Sequence, residues 1–162
     1  RVVEYVESIT IHGKVRDVYD AIRFQERLME WSAWPPETGS ACGLEGTDGE
    51  LGAKTVFMKK SGARFGYQEI TALAAGQSVS FIVKSKGPPQ KTQLHFHLSP
   101  MGDETTRVIL HFHNTITPPF HMILRIAGIV RWTRQMHGKD LDGLKRYIER
   151  HETYLGERVK AA

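Results

Sequence analysis

The sequence of 162 residues has a single cysteine, Cys42, so no internal disulfide can form and no Cys pair stands at zinc-ribbon or redox spacing. A reducing compartment follows, and the cytoplasm is the expected location. Long apolar runs are missing too. The longest, residues 122–130, is broken by Arg125 and falls far short of the roughly 20 residues that a membrane helix needs, so no membrane span is expected. Signatures of catalysis are equally scarce. No Gly-x-Gly-x-x-Gly, Gly-x-Ser-x-Gly or His-Glu-x-x-His occurs, and the glycines at 39, 43, 46, 49 and 52 lack the Gly-Lys-Ser/Thr that ends a phosphate cradle. No cofactor is implied. Cys42 lies beside Gly43 with no base assigned to it and reads as a bystander.

What is present is an ordinary globular balance of 40% hydrophobic and 25% charged residues, which argues against disorder, a collagen-like chain or a coiled coil. Residues 1–162 are enough for one domain with a buried core and show no repeat or linker. The net charge of +4 is unevenly placed: residues 1–118 carry 13 basic and 13 acidic side chains, residues 119–162 carry 9 and 5. With its acids interspersed, that surplus reads as a solvated helix face. No aromatic-interleaved basic strand accompanies it, so no nucleic-acid partner is expected.

Periodicity supplies the organisation. Residues 2–12 are β-branched and alternating, with Ile9 and Ile11 on one face of a first strand. Val15, Val18, Tyr19 and Ile22 then recur at helical spacing, and a second short helix, residues 25–31, must stop before Pro35 and Pro36. Residues 35–52 read as a mobile, glycine-rich loop with little to pack it and at most an edge strand near 41–45. Five strands follow, at 53–60, 64–73, 78–86, 91–99 and 105–117, separated by turn-like segments as in an antiparallel meander. Val79, Phe81 and Val83 share one face, as do Leu94, Phe96 and Leu98, and Val108, Leu110 and Phe112, so the sheet has one apolar side. Its cover is a long helix over about residues 120–155, with Val130, His137, Leu141, Leu144 and Ile148 inward and Arg131, Arg134, Lys145 and Arg146 elsewhere. Gly128, Gly138 and Gly143 in that helix imply bends, frayed turns or close approach to something bulky.

Several local signatures add to this order. Ser8-Ile9-Thr10-Ile11 leads into the first helix; Trp31-Ser32-Ala33-Trp34-Pro35 follows the second; Gly49-Glu50-Leu51-Gly52 opens a strand; and Asp140-Leu141-Asp142-Gly143-Leu144-Lys145 runs to Glu149. Over nearly the whole chain the sequence resembles the polyketide cyclase/dehydrase and lipid-transport branch of the START-like, birch-pollen-allergen-like (SRPBCC) superfamily. The resemblance implies an α+β helix-grip fold: a curved antiparallel sheet of about six or seven strands wrapped around a long C-terminal helix, with two short helices after strand one. It also implies a cavity, whose contents vary among carriers, plant-hormone receptors and aromatase/cyclases.

Within such a cavity Trp34, Phe57, Tyr67, Phe81, Phe96 and Phe112, with His137 and Leu141, are the candidate ligand-binding residues for a lipid, sterol, polyketide or aromatic molecule. The alternative for each ring is an ordinary filled core. His137, with Tyr67 and Glu69 sharing a strand face, are the catalytic candidates: an imidazole base and a phenol could shuttle protons in aldol cyclisation or dehydration. A carrier or sensor is the favoured reading, ahead of an enzyme in the same cavity. His95, His97, His111 and His113 flank Phe96 and Phe112 on consecutive strands, so all four imidazoles should leave the opposite face. They are candidates for a zinc, copper or nickel site, though no carboxylate partner is evident to orient them. Otherwise that face is a solvent-facing sheet, or a surface for a partner protein or a homodimer.

Overall fold

β-Branched residues and strict alternation form β1 (Val2–His12), which turns Tyr5, Ile9 and Ile11 to one side. The computed structural model describes residues 2–87, 89–119, 122–123 and 128–161, and side chains up to residue 150. After β1 come α1 (Val15–Arg23), α2 (Gln25–Trp31) and α3 (Trp34–Thr38). Six strands follow, β2 (Ala41–Glu45), β3 (Lys54–Met58), β4 (Arg64–Ala74), β5 (Ser78–Ser85), β6 (Gln90–Pro100) and β7 (Thr105–Ile116), and then α4 (Ile129–Ala161). All seven strands pair antiparallel in the order β1-β7-β6-β5-β4-β3-β2. Irregularities in β3 at Phe57/Met58 and in β4 at Ile70/Ala72 bend the sheet, as bulges do.

Register turns the alternation into a core. Tyr5 lies opposite Phe112, Phe112 opposite Leu94, Leu94 opposite Phe81 and Phe81 opposite Ile70, a transverse row across five strands in which every member is buried. Each such side chain contributes roughly 1.5–3 kcal/mol by leaving water. The cover is α4, whose Met136, His137, Asp140, Leu141, Leu144 and Ile148 are buried while Arg131, Arg134 and Arg146 are exposed. Val130, expected on the same stripe, is half-buried at the helix start.

Three features depart from the sequence reading. Gly128 stands at φ +69, a left-handed turn conformation that glycine tolerates, and α4 begins only at Ile129. The expected helical turns at 120–121 and 124–127 lie outside the described residues. Pro35 and Pro36 do not merely end a helix. They occupy the first turn of α3, where a missing N–H costs nothing and a fixed φ suits the helix.

The third departure is the glycine-rich segment, which is tied down rather than unpacked. Asp48 accepts the Gln25 N–H at 2.7 Å and the Glu26 N–H at 3.2 Å, so a carboxylate from the loop caps α2, whose own N-cap residue, Phe24, supplies no side-chain bond. Arg23 donates to the Gly49 carbonyl, and Gly52 N–H to Ile70. The edge strand at 41–45 is present as β2.

Of the three helical glycines, Gly143 is the close approach: a Cβ there would stand 2.2 Å from the Trp31 carbonyl oxygen. Trp31 in turn donates its indole N–H to the Ala21 carbonyl at 2.9 Å, which locks the α1–α2 corner beneath α4. Gln25, buried at that corner, accepts the Thr55 hydroxyl at 2.7 Å and donates to the Arg23 carbonyl.

Candidate functional site

The inward stripe of α4 brings His137 against β1 and β7. The buried imidazole meets the Tyr5 hydroxyl at 2.6 Å through Nδ1. Burial pulls the imidazole pKa down from 6.5 to about 4, and burial pushes that of the Tyr5 phenol up. At neutral pH both groups are therefore uncharged, and the contact is a hydrogen bond between a neutral phenol and a neutral imidazole whose tautomer sets which of the two donates.

Aromatic rings surround the pair. Phe112 stacks on Tyr5 at 4.5 Å and sits 5.1 Å from the His137 ring; Trp34 lies 5.8 Å from it and meets Trp132 edge-on at 5.4 Å. The Arg134 guanidinium lies 5.3 Å from the Tyr5 ring centroid and binds Glu7 at 2.5 Å.

One turn further along α4, Asp140 is buried against the α2–α3 corner. Its Oδ1 accepts the Ala33 N–H at 2.7 Å and the Ser32 hydroxyl at 3.1 Å. Burial raises its pKa from 3.8 to about 6, against the opposing pull of hydrogen bonds from Ala33, Ser32 and the Trp34 side chain. Asp140 thus holds the segment that carries Trp34 against the helix that carries His137. A groove of about 390 Å³ opens beside them between the start of β1 and the first turns of α4, lined by Val3, Glu4, Tyr5, Gly128, Val130, Arg131 and Arg134. Tyr5 is shared between this groove and the buried pair.

The predicted residues separate into groups. Trp34, Phe112 and His137 come together. Leu141, Phe81 and Phe96 are buried in the same core cluster as Tyr5 and Phe112 but make no ring contact with His137, Phe81 and Phe96 meeting edge-on at 5.9 Å. Phe57 contacts Phe65 at 6.0 Å on the other flank of the sheet.

Tyr67 and Glu69 stand on the opposite face from His137. Gln68 pairs with Val83 and Ile70 with Phe81 on the apolar side, so Tyr67, opposite Lys84, and Glu69, opposite Ile82, point outward. There Lys54 lies 4.7 Å from the Tyr67 ring centroid and 3.6 Å from the Glu69 carboxylate. The expected pairing of Tyr67 with His137 is not made, because parity along β4 puts them on different faces.

His95, His97, His111 and His113 share that outer face, as alternation requires. His95 bonds the Ser80 hydroxyl at 2.8 Å and lies 6.1 Å from the His111 ring and 6.4 Å from that of His97. Burial, then the neighbouring imidazoles His111, His97 and His113, lower its pKa. A carboxylate partner does exist, contrary to the sequence reading. Glu4, opposite His113 in the register, reaches Nε2 of His111 at 3.3 Å and of His113 at 3.9 Å. Among the described residues, no three His, Cys, Asp or Glu side chains form a metal-holding group. Cys42 lies on β2, and burial raises its thiol pKa, which disfavours the reactive thiolate.

Tyr5, Asp140 and Trp132 escaped the sequence reading. Two of them had a signal: Tyr5 shares the parity of Ile9 and Ile11 on β1, and Asp140 stands three residues after His137 on the inward stripe. Nothing local marks Trp132, which is recruited by its contact with Trp34.

No family model matches the chain, and no curated protein matches it in sequence. Solved structures do. Norcoclaurine synthase from Thalictrum flavum, in truncated form, superposes with a TM-score of 0.69 at 11% identity, over 90% of this chain and 92% of that one. A protein from Thermobifida fusca gives 0.66 at 16% identity, over 89% and 92%. One from Chromobacterium violaceum gives 0.63 at 18%, over 90% and 96%. The chain shares the helix-grip fold of these structures. In helix-grip terms, the Tyr5–His137 pair lies where the gripped helix crosses β1 and β7. None of the described helices is long and apolar enough to cross a membrane.

Proposed function

We propose that the protein binds one hydrophobic or aromatic small molecule between the sheet and α4, as a carrier or sensor. The observation that carries this reading is the buried Tyr5–His137 hydrogen bond beside Phe112 and Trp34, with Trp132 edge-on to Trp34 and Tyr5 also lining the groove at Val3 and Val130. Apolar walls with a small number of placed polar groups are what small-molecule sites are made of. A neutral imidazole supplies one N–H donor and one acceptor nitrogen without the desolvation cost of a charge. The helix-grip neighbour norcoclaurine synthase is known in complex with dopamine and hydroxybenzaldehyde, which supports an aromatic ligand class here. A lipid or sterol belongs to the same reading, and the lone cysteine is consistent with work in the cytoplasm.

One observation favours a second reading, a cyclase- or dehydratase-type enzyme. Tyr5 and His137 are a phenol and an imidazole in direct contact, the pair of groups that proton shuttling at a carbonyl substrate needs, with Tyr5 in the role assigned to Tyr67 from sequence. The carrier reading is preferred because no nucleophile or carboxylate is hydrogen-bonded to His137 among the described residues, and its depressed pKa makes it a weak base.

Native mass spectrometry of protein purified from its own host tests the proposal by the added mass of a retained ligand. For a carrier, Phe112→Ala weakens binding of that ligand at least ten-fold, while His137→Gln changes affinity only a few-fold. An enzyme shows the reverse: His137→Gln retains the ligand and loses turnover of a polyketone or related carbonyl substrate by about 100-fold. That second pattern would overturn the carrier reading.

A further inference from the structure

We propose that α3 is a lid over the Tyr5–His137 pair and that Asp140 is its latch. The inference rests on the ligand site proposed above and concerns how that site is entered. The site is shut: His137 is 3% exposed and Tyr5 7%, so a ligand reaches the imidazole only when a neighbouring element moves. β1, β7 and α4 all place side chains in the core. α3 buries none of its residues. Its one aromatic side chain, Trp34, is half-buried and lies against the rings of His137 and Trp132.

The rest of its attachment to α4 is polar, and it converges on one residue. Asp140 Oδ1 accepts the Ala33 N–H and the Ser32 hydroxyl, and the Ser32 oxygen in turn accepts the Trp34 N–H at 3.3 Å. Lys139 adds a contact to Glu37 at 2.9 Å, between exposed side chains, where an ion pair contributes little. Both ends of α3 are suited to a swing. Ser32 is extended at φ −65 and ψ 140, and Gly39 is left-handed at φ +66, a conformation that glycine adopts without strain. Within the turn, the Glu37 N–H bonds the Ala33 carbonyl and the Gly39 N–H that of Pro35, so the segment can move as a unit. A short element without core side chains, bounded by two such joints, is the kind that opens locally while the rest of the fold stays closed. Opening removes Trp34 from beside the imidazole and leaves the Tyr5–His137 bond, made between β1 and α4, in place.

Two measurements without ligand test the lid. Hydrogen exchange read by mass spectrometry is expected to show residues 33–40 exchanging faster than β1 and β7 in the wild-type protein. Diethyl pyrocarbonate, which acylates neutral imidazoles, reads the opening at His137, with the exposed His97 on the outer sheet face as internal control. Asp140→Ala is expected to speed both the exchange of residues 33–40 and the modification of His137 about ten-fold or more, because two donors lose their acceptor. Exchange in β1 and β7 and modification of His97 should not change. Asp140→Asn keeps a side-chain carbonyl for the same two donors and is expected to stay within about three-fold of wild type. Ser32→Ala removes one of the two bonds, is expected to fall between them, and serves if Asp140→Ala misfolds. Exchange of residues 33–40 as slow as that of β1, His137 modified equally in wild type and folded variants, or faster exchange spread over β1 and β7 in Asp140→Ala overturns the lid. An immobile α3 leaves the ligand-binding reading standing, whereas a protein that opens at α3 but retains no ligand overturns that reading and not the lid.

Discussion

At the scale of the residue, two buried ionisable groups one turn apart on α4 oppose each other. His137 titrates at about 4 in the fold against 6.5 when free, so between those pH values the unfolded chain binds the extra proton and stability falls as pH is lowered. Asp140 titrates at about 6 against 3.8. In its window the folded chain holds the proton, and stability falls as pH is raised. Each effect is on the order of 3 kcal/mol across its window, and the windows overlap between about pH 4 and 6. Thermal melts of the wild-type protein should therefore show little net slope from these two groups there. Asp140→Asn exposes the His137 term, and its melting temperature rises with pH up to about 6.5. His137→Gln exposes the Asp140 term and gives the opposite slope. Parallel profiles for both variants would contradict the assignment. His137 was legible as an inward residue from its spacing alone; its partnership with Tyr5, 132 positions away, was not.

At the scale of the element, glycine reports how closely α2 and α4 approach. Replacing Gly143 by alanine removes a poor helix former, which in isolation favours the helix by about 1 kcal/mol. The new methyl would strike the Trp31 carbonyl, whose position is held by packing and by the helix backbone. Overpacking of this kind costs typically 1–3 kcal/mol, so Gly143→Ala is expected to be destabilised in urea titrations. Gly138→Ala, five residues earlier with nothing within 4 Å of the new Cβ, is expected to be neutral or stabilised by up to about 1 kcal/mol. If Gly143→Ala matches Gly138→Ala, the close α2–α4 contact is wrong. The elements themselves were largely readable, since β1 and α2 have the expected bounds and the β5–β7 faces point as alternation demands. The short α3 was not, because two prolines read equally as a stop and as a first turn.

At the scale of the whole molecule, a ligand held between the sheet and α4 touches two layers at once, and binding to the folded state alone raises stability by mass action. With a recovered ligand at about 100 times its Kd, the gain is roughly 2.7 kcal/mol, or about 5–10 °C in Tm for a chain of this size. A thermal scan with and without the ligand reads it directly. Phe81→Ala, in the core without ring contact to His137, should lower the melting temperature of both samples by a similar amount. Phe112→Ala, beside His137, should also shrink the ligand-induced rise. An equal ligand-induced rise in wild type and Phe112→Ala would move the site away from Phe112.

The sequence by itself determined α1, α2, the body of α4, the strands, the apolar side of the central strands and the outward set of four histidines, because alternation and helical spacing are properties of a few consecutive residues. Tertiary structure alone decided which polar groups meet. The irregularity at Ile70/Ala72 changes parity along β4, so Leu73 packs against the core while Tyr67 faces outward, and no local pattern reveals where a bulge will fall. Asp48 caps α2 from a loop, and Glu4 joins His111 and His113 across a strand pairing. The Tyr5–His137 pair arises in the same way. β1 reaches β7 at the opposite end of the chain, and α4 returns over both; the contact depends on register and helix placement, which chain neighbours do not encode.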